Sequence, residues 1–99
     1  MIVVENRIPV RKDYREKFEK LFSERESHLS ETPGFVRNEV LRPIKGDEYI
    51  VMTHWETMEH FQNWMNSDAF KKAHFGGTLP KEAFVGENTI EIHEVFLSS

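Results

Sequence analysis

Three residues have a chemical capacity that their neighbours do not account for: Asn6, Trp64 and His74. Asn6 lies in the stretch Ile2 to Val10, where Ile2, Val4, Ile8 and Val10 share its face because strand side chains alternate. A buried amide in an aliphatic row costs free energy unless it finds hydrogen-bond partners. It either bonds to a neighbouring strand or loop, or aims its NH2 into a pocket, where it can stabilise a developing anion without titrating. Phe61, Trp64 and Met65 stand at i, i+3 and i+4 and form one helical stripe. Phe61 reads as core, whereas Trp64 sits beside a break at Asn66-Ser67, where an indole either packs inward or lines a cleft. His74 follows Phe70 by one helical turn and precedes Phe75-Gly76-Gly77. Its spacing leaves two readings open, a helix-end imidazole against terminal carbonyls or a metal ligand.

The other four histidines read as ordinary. His28 lies late in a helix, His54 and His93 in strands, and His60 on the exposed side of the second helix. No paired carboxylates, phosphate-binding glycine loop or Ser–His–acid arrangement stands out, which narrows enzymatic chemistry to what a cofactor or the substrate itself supplies. The chain has 99 residues, 38% of them hydrophobic, and forms one domain over 1–99 with a small packed core. A bulky ligand must then occupy a side cleft, or an enclosure enlarged by pairing. The absence of cysteine excludes a disulfide scaffold, a thiolate zinc site, an iron–sulfur cluster and a cysteine nucleophile, and fits a reducing, cytoplasmic setting. A net charge of −4 with scattered Lys and Arg argues against nucleic acid as a partner. No apolar run approaches the ~20 residues of a membrane span. The start, Met1 to Arg7, lacks the basic region and cleavage site of a signal peptide.

The elements that must position these residues follow from periodicity. Residues 2–10 alternate as a strand, with Pro9 marking an edge or the strand exit. Tyr14, Phe18, Leu21, Phe22 and Leu29 recur at helical spacing, which predicts a helix over 12–30 that Pro33-Gly34 stops. Residues 35–42 and 49–55 read as a hairpin around a turn at 43–48. Thr57 is placed to cap a helix over 58–66, and Ser67 a short helix over 68–74. Residues 75–80 form a loop, 81–87 carry no clear pattern, and 88–97 make the last strand. The order β-α-β-β-α-β predicts an α+β, ferredoxin-like fold, an antiparallel sheet with helices on one face. The other face, expected to be aliphatic and aromatic, is best covered by a second copy, giving a dimeric barrel.

Taken together, Asn6, Trp64 and His74 point further. The segment Trp55 to His74, with its Trp64 and its Ser67-Asp68-x-Phe70-Lys71-x-x-His74 ending, closely resembles the IsdG-type haem-degrading monooxygenases of the antibiotic biosynthesis monooxygenase (ABM) superfamily. Glu5-Asn6-Arg7-Ile8 resembles that family's first strand, and the order of elements matches along nearly the whole chain. The resemblance implies a dimeric α/β barrel that binds haem in a side cleft of each subunit. It implies His74 as the axial iron ligand, Asn6 as a hydrogen-bond donor on the opposite side, and Trp64 as a wall that presses the porphyrin out of plane, a distortion that tunes haem reactivity. Haem is then both cofactor and substrate. Its meso carbon is oxidised with O2 and electrons from an external reductant or reductase, the ring opens and iron is released. Propionates want cations, so Arg7, Lys71 and Lys72 are candidate partners, the lysines reading first as a solvated charged face. Two other functions stand beside this one: a cofactor-free quinol or polyketide monooxygenase of the same superfamily, and a non-catalytic haem-binding or stress-response dimer.

Overall fold

A computed structural model describes residues 1–24, 29–68, 70 and 79–99. Four strands form one antiparallel sheet in the order β2-β3-β1-β4, from β1 (Ile2–Pro9), β2 (Phe35–Leu41), β3 (Glu48–Trp55) and β4 (Thr89–Glu94). Helices α1 (Arg15–Glu24) and α2 (Met58–Met65) complete the ferredoxin-like α+β arrangement. β1 is a central strand, so Pro9 marks its exit and not a sheet edge; a residue without an N–H is tolerated where the ladder ends. Of the expected helix over 12–30, the described residues are α-helical over Arg15–Glu24. A 3-10 turn at Lys12–Tyr14 leads into α1, and a second lies at Leu29–Glu31. Residues 25–28, His28 among them, lie outside the described residues.

Local chemistry sets the boundaries of α2. Thr57 is extended, and its hydroxyl accepts a hydrogen bond from His60 N, satisfying one of the donors that a helix start leaves unpaired. At the other end Ser67 N and Ser67 Oγ both donate to Trp64 O, closing the helix beside the indole. β4 stops at Glu94 rather than at 97. Its ladder partner β1 begins at Ile2, and the last bond is Val95 N to Met1 O.

Register assigns the faces. Ile2 pairs with Trp55, Val4 with Thr53, Asn6 with Val51 and Ile8 with Tyr49, all facing the helices. The core on this side falls into two clusters. One joins Ile2, Val4, Trp55 and Phe61; the other joins Val10, Phe18 and Tyr49. The open face departs from the aliphatic and aromatic surface expected. Alternation brings Glu5, Arg7, Glu39 and His93 there alongside Val3 and Met52, and ion pairs link them: Arg7 to Glu91 at 3.1 Å and His93 to Glu5 at 3.2 Å.

Candidate active site

The two core clusters do not fuse, and a cleft of about 340 Å³ lies between sheet and helices where they part. Val4, Phe61 and Trp64 reach it from the first cluster and its margin, and Phe22 from the margin of the second. Leu29 and Phe70 extend the apolar wall. Four neutral polar side chains interrupt it: Asn6 on β1, Asn38 on β2, Thr53 on β3 and Asn88 just ahead of β4. Among the described residues the lining carries no ionisable group. The cleft opens along exposed Asn38, Val40, Asn88 and Ile90.

Asn6 and Trp64, fifty-eight positions apart (64 − 6), meet in this one space. Asn6 is half-buried, and its Oδ1 accepts a hydrogen bond from Asn88 Nδ2 at 3.0 Å. Nδ2 of Asn6 takes no partner among the described residues and is the donor left for a ligand. Trp64 is also half-buried and is held by rings: Phe70 meets it edge-on with centroids 4.8 Å apart, and Trp55 lies 5.6 Å away. Such aromatic geometry fixes ring orientation beyond what burial alone does. Trp55 is in turn fully buried and donates from Nε1 to Thr53 Oγ1 at 3.1 Å. Rigid walls and a preorganised amide donor suit a flat, largely apolar ligand that carries one oxygen to be stabilised.

His74, Lys71 and Lys72 lie outside the described residues, as does the loop from Phe75 to Thr78. Arg7 is displaced from its expected part as a propionate partner. It neighbours Asn6 in a strand and therefore faces the opposite side of the sheet, where Glu5 and Glu91 hold it. His60 is half-buried rather than exposed. Its Nδ1 lies 2.7 Å from Thr57 Oγ1, and its ring occupies the space that a Cβ on Gly34 would need.

Sequence reasoning passed over a third cluster, which lines a neighbouring space that shares Phe22 and Val40 with the cleft. Glu19 on α1 accepts hydrogen bonds from Tyr49 OH and, at 2.8 Å, from Arg42 Nε. The Arg42 guanidinium, then the Tyr49 hydroxyl, hold the Glu19 carboxyl down at about 2. Burial, then the neighbouring Glu19 carboxylate, push Tyr49 up to about 12. This clamp ties α1 to the sheet three residues from Phe22, and so positions that part of the cleft wall.

Comparison with known proteins follows the same lines. Residues 1–75 match the family described as antibiotic biosynthesis monooxygenase. The chain is 46% identical over 61 residues to the mycobilin-producing heme oxygenase of Mycobacterium tuberculosis, a match that spans 61% of this chain and 57% of that protein. It is 40% identical over 77 residues to the staphylobilin-producing heme oxygenase of Staphylococcus epidermidis, spanning 75% of this chain and 73% of that one. Among solved structures it is similar to the heme degrader MhuD from Mycobacterium tuberculosis with two hemes bound in its active site. The TM-score is 0.81 at 35% identity, covering 100% of this chain and 99% of that one.

Proposed function

The chain belongs to the antibiotic biosynthesis monooxygenase family, and from that premise we propose that it binds haem in the cleft between sheet and α2 and degrades it. The reaction opens the porphyrin ring with O2 and an external electron donor and releases iron. The observation that carries this reading is the convergence of the Asn6 amide and the Trp64 indole on one apolar cleft. Relatives named heme oxygenases give it further support.

The described residues fit the group. Phe22, Phe61 and Phe70 offer apolar surface to a flat macrocycle and exclude water from it. Haem would supply the iron that activates O2 and the carbon that is oxidised. Asn6 Nδ2 would donate a hydrogen bond to an oxygen atom in the cleft, and needs no change of protonation state to do so. Trp64, buttressed by Trp55 and Phe70, is a wall that does not yield when a ring presses on it. His74 would hold the iron through its imidazole. Reductant, or a reductase, comes from outside, the chain works as a homodimer, and the setting is cytoplasmic.

The purified protein mixed with haemin should develop a Soret band, and the band should decay when ascorbate and oxygen are added. Absence of binding at micromolar haemin would end the proposal. His74→Ala separates it from cofactor-free chemistry. The haem complex should collapse in that variant, whereas a phenol-oxidising enzyme would bind its substrate without needing an iron ligand. A complex that forms but resists reductant and oxygen would indicate storage.

A further inference from the structure

The carbonyl end of the Asn6 amide is occupied by Asn88, whose Nδ2 donates to it at 3.0 Å. We propose that Asn88 is a positioning residue: by holding Oδ1 of Asn6, it commits the NH2 end to the cleft. The contact stands on the geometry alone, while its consequence for turnover rests on the haem reading above.

The register explains how the two residues meet. β4 runs antiparallel to β1 with Ile90 opposite Asn6. The residue two before Ile90 lies on the same face, diagonal to Asn6 and within reach of it. That residue is Asn88, and it lines the cleft with Asn6 and Ile90. A carboxamide has an oxygen that only accepts and a nitrogen that only donates, in nearly the same shape. Packing against apolar walls therefore does not decide which end faces inward; a neighbour that tells donor from acceptor does. Asn88 turns its Nδ2 to Asn6 Oδ1, and while that bond holds, the Asn6 NH2 is the end left for the cleft. Turned the other way, Asn6 would present an acceptor to the cleft, and a bound oxygen would meet a lone pair instead of an N–H.

Asn88→Asp inverts the discrimination. Its new carboxylate only accepts, so it should recruit the Asn6 NH2 and turn the Asn6 carbonyl into the cleft. The first readout needs no haem. In the 15N–1H spectrum of the ligand-free N88D protein, the Asn6 side-chain NH2 resonances should titrate with the new carboxylate, across about pH 3 to 6. In the parent and in Asn88→Ala they should not. Resonances that stay still in a folded N88D protein overturn the pairing, whatever the protein does with haem.

The second readout is the C–O stretch of the ferrous carbonyl complex, which falls when a donor faces the ligand. The parent should lie below Asn6→Ala, and N88D should rise to the Asn6→Ala value or beyond, with turnover reduced roughly tenfold. A parent-like stretch in N88D beside a shifted one in Asn6→Ala would mean that Asn6 is aimed without Asn88. An unmoved stretch in both would mean that Asn6 does not face the ligand, and the inference falls with it. Failure of the parent to bind haemin removes the haem reading instead, and the NH2 titration then decides the pairing on its own.

Discussion

Asn6 contributes a donor and Trp64 a shape, and the two can be separated by experiment. Asn6→Ala removes an amide that is half-buried and has one partner among the described residues, so the fold and the haem complex should survive while turnover slows by roughly tenfold to a hundredfold. Unchanged turnover would remove Asn6 from the mechanism. Trp64→Ala leaves a gap beside Trp55 and Phe70, and stability should drop by about 2 kcal/mol. Haem should still bind, with weaker out-of-plane modes in its resonance Raman spectrum because the wall is gone. Both residues were visible in the sequence as anomalies, an amide in an aliphatic row and an indole at a helix break. Asn88 was not, because nothing local marks it: its part depends on a strand register that joins residues 82 positions apart. Arg7 shows the opposite case. Its position next to Asn6 already placed it on the other face, and the pull of a cation toward propionates obscured an alternation that was legible from the start.

At the scale of elements, two contacts hold the helices over the cleft. Gly34, just before β2, has φ +82 and meets His60 of α2, with an added Cβ falling 2.1 Å from the ring's Cγ. Gly34→Ala combines a left-handed backbone penalty of ~1–2 kcal/mol with that clash. Gly46 is the internal control: its φ is +91, and nothing lies within 4 Å of an added Cβ. Urea titrations should show Gly34→Ala losing clearly more stability than Gly46→Ala. Adding His60→Ala should restore part of the difference, and equal losses at the two glycines would mean that the close approach is relieved freely. The clamp on α1 predicts a pH signature. Glu19 titrates at about 2 in the folded protein against an ordinary 4.5, so its carboxylate stabilises the fold above pH 4.5 and loses that contribution as pH falls toward 2. Tyr49 titrates at about 12 against 10, so its contribution is complete below pH 10 and fades as pH rises to 12. Glu19→Gln should flatten the acid limb of the urea midpoint against pH. An acid limb identical to the parent's would place the sensitivity elsewhere. The sequence announced the helices and strands through periodicity and caps. It did not announce this clamp, whose members come from α1, the turn after β2, and β3, and are far apart along the chain.

The whole molecule presents two faces with different demands. The cleft opens on the helix side, and among the described residues no helix lies on the far side of the sheet. Val3 and Met52 are half-buried there amid charges that already have partners within the chain, such as Arg37 with Glu39 and Arg7 with Glu91. A second sheet laid on this surface would cover the apolar residues without stranding a buried charge, which is the condition an interface with internal ion pairs must meet. Phe96 and Leu97, 93% and 77% exposed beyond the end of β4, add apolar surface that a second copy would also cover. Light scattering should therefore return twice the chain mass of 11.7 kDa at micromolar concentration, and a persistent monomer would contradict the barrel. Met52→Glu sets an added carboxylate between Glu5 and Glu39 on the open face, and it should shift the protein to monomer while the far-ultraviolet spectrum stays that of the parent. Because Met52 faces away from Asn6 and Trp64, haemin binding by that monomer separates two roles for the dimer. Retained affinity means that each subunit builds its cleft alone, and lost affinity means that pairing of the sheets holds the helix side in its binding form.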